Sequence, residues 1–268
     1  MDVIINSACD DIPARSIPLV TQGHYLTNTL AALGYDPVNP PLADLLRRYH
    51  KLEGDWLIAT PIHWQATHND AMIIAAGDEL ALNEPLAKIW FAEVSQLLKE
   101  DGFELVYHSP DLWLVNTGGK GAGQFPAIHS MLHQSMMPVL QNMGESMFWQ
   151  KLMTELQMFM STHPLNSAKN RSMPVNGLWF WGGGELHTDH HRPLLSNDDL
   201  LLTVFPACRV LHEATFPADS VIVIGDGHPD AVTKLLKITA KTKRTQWYWN
   251  NAAYQCKRLP WWSRLWKK

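Results

Sequence analysis

Cysteine is scarce in this 268-residue chain: Cys9, Cys208 and Cys256 are an odd number with no close pairing. That excludes a disulfide framework and a cysteine-rich zinc site, and it predicts a reduced, cytoplasmic setting. Long apolar runs are missing too, since none reaches the roughly 20 residues that a membrane-spanning helix needs. The opening Met1-Asp2-Val3-Ile4-Ile5 lacks the basic leader of an export signal, so export is not expected. The nucleotide-binding fingerprints are also absent. In Gly118-Gly119-Lys120-Gly121-Ala122-Gly123 no Gly-Lys-Ser/Thr opens a helix, and the dinucleotide pattern fails as well. This stretch reads as a mobile loop, although its glycines would let backbone N–H groups approach an anion closely.

Acidic residues disappear from 231–268, which hold ten Lys or Arg, although the whole chain has a net charge of −4. All the Asp and Glu therefore lie upstream. The basic end can dock on the acidic body or meet an external polyanion. Five of the twelve Trp fall in the same region, at 247, 249, 261, 262 and 266. Aromatic rings among cations suit nucleic-acid stacking or an anionic membrane surface, and equally the packing of a terminal segment on its own fold.

What is present is ample core material, 46% hydrophobic against 18% charged residues, which excludes a disordered chain. Apolar runs at 3–7, 55–61, 71–76, 178–181, 200–205 and 221–224 read as strands, and 103–108 with 112–115 as a hairpin around Ser109-Pro110-Asp111. Helical spacing marks 24–33, 42–50 and 86–98, the last through Ile89, Trp90, Val94 and Leu97. Two helices are expected within 126–162, broken near Gly144, and another after Asp230. The methionines of 131–160 fit adaptable core filling or a partner groove. This alternation predicts an α/β protein with a mainly parallel or mixed sheet and flanking helices. The chain reads as a single unit, 1–268, or as a core with a subdomain inserted around 55–125.

Polar clusters suggest chemistry, each beside a plainer reading. His187-Thr188-Asp189-His190-His191 brings imidazoles and a carboxylate close enough to share a divalent metal, or forms a solvated loop. His129 and His133 are spaced i, i+4 as in helical zinc hydrolases, but Ser130 stands where those enzymes carry a glutamate. Ile224-Gly225-Asp226-Gly227-His228-Pro229-Asp230 follows a strand and precedes a helix. That is a ligand-contact position at the carboxyl edge of a parallel sheet, or a turn with Asp230 as a helix cap.

Two linked segments go beyond generic pattern. One is Glu155-Leu156-Gln157-Met158 continuing to Thr162-His163-Pro164-Leu165-Asn166, and the other is Met173-Pro174-Val175-Asn176-Gly177-Leu178-Trp179-Phe180-Trp181-Gly182-Gly183-Gly184. With Ala59-Thr60-Pro61-Ile62-His63-Trp64, Asp101-Gly102-Phe103 and Pro110-Asp111-Leu112-Trp113, they resemble the RpfE-type proteobacterial family, over roughly residues 55–184. Its members are often described as cofactor-independent phosphoglycerate mutases, through a remoter likeness to archaeal mutases of the alkaline phosphatase superfamily. The resemblance implies an alkaline-phosphatase-like fold or a reduced form of it. It also implies phosphoryl transfer through a serine held beside two divalent cations, which neutralise the transferring phosphate.

The first strand should then lead into an Asp-Gly metal motif, but here Cys9-Asp10-Asp11 follows. The nearest substitute donors are Asp10, His187, Asp189, His190, Asp226 and His228. The candidate ligand pocket comprises His63, His163, Asn166, Asn176, Gly182 and Gly183, in which Asn176 can tie a turn to the Trp179 strand. The sequence thus predicts a binding or regulatory protein with a degraded metal site and no required cofactor. Its partner would be a small phosphorylated ligand or a protein. The alternative is a phosphotransfer enzyme that uses manganese or zinc.

Overall fold

In the computed structural model the described residues are 1–68, 70–120, 125–141, 147–167, 173–211, 216–217, 219–226, 232–233, 235–236 and 244–257. In chain order the elements are β1 (Asp2–Ile5), β2 (Ile17–Leu19), α1 (Tyr25–Ala32), α2 (Leu42–Tyr49), β3 (Trp56–Ala66), β4 (Ala71–Ala76), α3 (Glu84–Glu100), β5 (Glu104–Ser109) and β6 (Leu112–Asn116). There follow α4 (Ile128–Met131), α5 (Met137–Gln141), α6 (Phe148–Thr162), β7 (Gly177–Trp181), β8 (Leu194–Ser196), α7 (Asp199–Val204), β9 (Arg209–Val210), β10 (Val221–Ile224), β11 (Arg244–Tyr248) and β12 (Ala253–Lys257). The chain is α/β, and it divides into two compact units: Met1–Pro37 with His187–Lys268, and the inserted Val38–Leu186. The second unit contains the stretch 55–125 together with α4, α5, α6 and β7.

The first unit is built on a mixed, mostly parallel sheet in the order β2-β12-β11-β1-β10-β8-β9. β1 lies between β10 and β11, parallel to both, with Asp2 opposite Val221 and Gln246. Strands buried on both faces need apolar residues throughout, and β1 (DVII) and β10 (VIVI) are buried at every position. Val3, Ile5, Ile222, Ile224, Val232, Leu235, Trp247 and Tyr254 share one core cluster. The β11–β12 hairpin places Trp247, 1% exposed, opposite Tyr254, so this part of the basic aromatic end is sheet interior. Residues 258–268 lie outside the described residues, as do Asp230 and most of the helix expected after it.

The run 200–205, expected as a strand, is the helix α7. Short apolar runs do not distinguish the two by period. Here Asp198 decides, because its carboxylate accepts the Leu200 N–H at 2.8 Å and caps a helix.

The inserted unit is an antiparallel sheet in the order β4-β3-β6-β5, with β7 also paired to β3. The long β3 carries β6 on Trp56 to Ala59 and β7 on Ile58 to Ile62. α3 buries Ala87, Trp90, Val94 and Leu98, so Ile89, expected inside, is 48% exposed. α6 buries Trp149, Leu152, Met153, Leu156 and Met160. Trp179 donates its indole N–H to Pro126 O and Trp181 to Thr60 Oγ1, each at 2.8 Å, whereas the buried Nε1 of Trp90 and of Trp113 meets no partner among the described residues. Met131, Met136, Met153 and Met160 are buried, whereas Met147 and Met158 are exposed, so methionine mostly fills core space here. Among the described residues no helix is long and apolar enough to cross a membrane.

Gly225, at the end of β10, donates its N–H to Asn197 Oδ1 and accepts from Asn6 Nδ2. A Cβ there would lie 2.7 Å from Asp198 Cβ and strike the capping carboxylate. Gly225→Ala should therefore lower stability by about 1–3 kcal/mol, read as a lower urea midpoint at unchanged m-value.

Candidate functional site

The six residues expected to form a ligand pocket separate onto the two ends of β7. Asn176 precedes the strand and Gly182 follows it, six steps of extended chain or roughly 20 Å apart. At the leading end the polar side chains hold one another's backbone. Asn166 donates through Nδ2 to Met160 O and Val175 O, at 2.7 and 2.8 Å, and accepts the Val175 N–H at 3.0 Å. Asn176 Oδ1 accepts the Trp64 N–H and its Nδ2 donates to Trp64 O, both at 2.8 Å, so the side chain extends the pairing of β3 as a strand residue would.

His63, 8% exposed, lies with Nδ1 3.0 Å from Pro174 O. That ring nitrogen carries the proton, which leaves Nε2 to accept from Gln65. His163 closes α6: its Nδ1 accepts the Leu165 N–H, its Nε2 faces Glu93 at 3.5 Å, and its ring packs on Trp90. These four residues are committed to the scaffold.

The trailing end is different. Gly182 has φ +78°, and a Cβ there would meet Ile58 Cγ1 at 3.0 Å and Ala43 N at 3.4 Å. Glycine lets the chain turn against α2, where Gly182 O accepts the Ala43 N–H at 2.9 Å. The turn opens onto a cleft of about 540 Å³. Asp44, Arg47 and Arg48 of α2 line it, with Gly54, Asp55 and Trp56 at the start of β3 and Gly183, Gly184 and Glu185 after β7.

Asp44 organises this cleft. Its Oδ1 accepts Arg47 Nε at 2.7 Å, and its Oδ2 accepts Arg48 Nε at 3.1 Å and the Leu186 N–H at 2.9 Å. Burial pushes the Asp44 carboxyl upward. The Leu186 hydrogen bond, the Arg47 hydrogen bond and the two guanidinium charges outweigh burial and hold it below the usual carboxylate range. Arg47 Nη1 also donates to Leu52 O, and Arg48 Nη2 to Leu186 O. Among the described residues Arg47 Nη2 and Arg48 Nη1 have no protein partner, nor have the N–H groups of Gly183 and Gly184. The sequence signal for this site is an aspartate followed at i+3 and i+4 by arginines on one helix. In sequence such a pair on an amphipathic helix is indistinguishable from solvated surface charge.

The six candidate metal donors do not share one location either. Strand direction places Asp10 and Asp226, which follow β1 and β10, at the carboxyl edge of the parallel sheet, where Cys9 N–H bonds Asn251 Oδ1. His187, Asp189 and His190 precede β8 and lie at the amino edge. There Arg192 reaches Asp2 at 2.7 Å, and Tyr35 Oη donates to His187 O and accepts its N–H. A four-residue strand parts the two edges by about 10 Å, too far for donors that must each stand roughly 2.0–2.2 Å from one metal. His190 packs between Tyr35 and Phe205, and burial lowers its pKa against the opposing pull of Asp189. His228 lies outside the described residues, among which no group of three or more His, Cys, Asp or Glu could hold a metal ion. At the strand end where the resemblance calls for a metal-binding aspartate, Asn6 donates to Gly225 O and accepts from Asn250 Nδ2.

His129 and His133 do not share a helix face, because α4 stops at Met131 and His133 has φ +59°, with its N–H on Ile73 O. Of the glycine-rich stretch, Gly118, Gly119 and Lys120 are described; Lys120 bonds Asp101 O and sits over the Phe103 ring at 4.0 Å. No protein-family model, curated protein or solved structure matches the chain.

Asn176→Ala strands the Trp64 N–H and C=O inside the sheet and should cost about 1–3 kcal/mol, measured by chemical unfolding. His129 is largely buried, with Nδ1 enclosed and unbonded, and burial lowers its pKa to about 4. The unfolded chain then binds the extra proton between pH 6.5 and about 4. Stability should be full above pH 6.5 and fall with acidification through that window, by up to about 1.4 kcal/mol per pH unit. His129→Gln should flatten that slope.

Proposed function

We propose that this protein is a member of the RpfE-type family that acts by binding, in a regulatory role, on a scaffold derived from a phosphomutase-like, alkaline-phosphatase-like fold. It would operate in the cytoplasm on a small phosphorylated ligand. The observation that supports this reading best is the division of the candidate donors between opposite edges of the parallel sheet, together with Asn6 at the end of the first strand. Two-cation phosphoryl transfer needs a concentrated set of carboxylates and imidazoles, because the ions must be held within a few ångströms of the nucleophile. Amides tying β1, β10 and β11 together supply hydrogen bonds in that place and carry no charge to hold a cation.

The inserted unit supports a binding role from the other side. Its cleft lies within the volume range of small-molecule sites and offers guanidinium and main-chain donors. The three free cysteines, each half-buried, suit a reduced setting.

Metal content and activity test the proposal together. After incubation with manganese and zinc followed by dialysis, the full chain should retain well under one metal per molecule and should not interconvert phosphoglycerates. Stoichiometric manganese or zinc that is lost in both Asp226→Asn and His190→Ala would overturn it and restore the phosphotransfer reading.

A further inference from the structure

Deepening the binding reading, and resting on it, we propose that the Arg47–Arg48 cleft takes a phosphate monoester whose organic part carries hydroxyl groups. The phosphoryl group would be held by the two arginines and the glycine turn, and the hydroxyls by Asp55 and Glu185. The two forks are already oriented, since each is fixed by Nε on Asp44 and by one terminal nitrogen on a main-chain carbonyl, Leu52 O or Leu186 O. One terminal nitrogen of each remains without a protein partner among the described residues, and both arginines line the cleft. Ordering two long side chains in advance removes an entropic cost that a ligand would otherwise bear.

A phosphoryl group suits this arrangement better than a carboxylate. Its three terminal oxygens can accept from two separate guanidinium groups and from main-chain N–H groups at once, whereas one arginine fork already satisfies both oxygens of a carboxylate. Gly183 and Gly184 line the same cleft as the arginines and carry no side chain, and their N–H groups meet no protein acceptor among the described residues.

The rest of the lining sets the second half of the ligand. Asp55 and Glu185 are exposed carboxylates with no side-chain hydrogen bond among the described residues, on a cleft whose third carboxylate, Asp44, is already engaged by three donors. Ionised carboxylates only accept, so they favour hydroxyl groups and repel further phosphates. That excludes polyphosphate and nucleic-acid backbone and selects a small monoester rich in hydroxyls, which fits within about 540 Å³.

Calorimetric titration of the full chain with inorganic phosphate and with ribose 5-phosphate, in EDTA, tests this without recourse to activity. Both should bind, the ester more tightly. Arg47→Lys and Arg48→Lys keep the charge on Asp44 but remove the fork, and each should weaken both ligands by about tenfold. Asp55→Asn with Glu185→Gln should leave inorganic phosphate as tight or tighter and abolish the preference for the ester. In the unsubstituted protein, phosphate should shift the amide resonances of Gly183 and Gly184 saturably, a readout that does not depend on any variant folding. No binding of either ligand, or unmoved Gly183 and Gly184 amides at saturation, would overturn the phosphate site. Equal affinity for the two ligands would overturn the role of Asp55 and Glu185. Because metal is chelated throughout, neither result bears on the metal-content test above.

Discussion

Asp44 accepts from Arg47, Arg48 and the Leu186 main chain at once, and the inserted unit's cleft takes its form from that carboxylate. Two cations at i+3 and i+4 would repel one another and wander if left alone. With an anion held between them, their forks stand in fixed directions and the end of the β7 excursion is tied to the first turn of α2. The pairing stands in a partly exposed place, where ion pairs by themselves contribute little. Its value is geometric, because it sets where the remaining donors lie.

A second constraint is strand length. Both groups of polar residues that look like sites in one dimension are parted by a strand that runs between their members or lifts one group away from the other. β7 separates the asparagine clasp from the glycine turn, and the direction of β1, β8 and β10 separates residues 187–190 from Asp10 and Asp226. The scaffold of the inserted unit is built from side chains that imitate main chain. Asn166 and Asn176 each make hydrogen bonds that a neighbouring strand would otherwise supply.

This explains which features could be read in advance. The buried strands β1, β7 and β10, the β5–β6 hairpin, and helices α2, α3 and α6 carry continuous apolar runs or helical periodicity, and their positions follow from those patterns. Gly182 turns the chain as a glycine run suggests, but Asn176, expected to tie a turn to the Trp179 strand, bonds Trp64 of β3 instead, and Asn166 makes the tie through Val175. β8, β9 and β2 are two or three residues long and carry no readable period, and the α7 run reads as a strand because its cap lies outside the apolar run. The arginine cleft is not legible in sequence for a different reason: its parts come from α2, the start of β3 and the end of β7, and only the sheet brings them together.

The placement of the inserted unit also bears on how the chain matures during synthesis. β1 is synthesised well ahead of both its sheet neighbours, which lie more than 200 residues away in sequence, since Asp2 pairs with Val221 and Gln246. The intervening Val38–Leu186 unit is continuous and closes on nearer partners, so it can fold while the strand that precedes it still waits. A largely apolar DVII segment left uncovered for that interval is a standing invitation to misassociation, and prompt synthesis of β10 and β11 is what withdraws it.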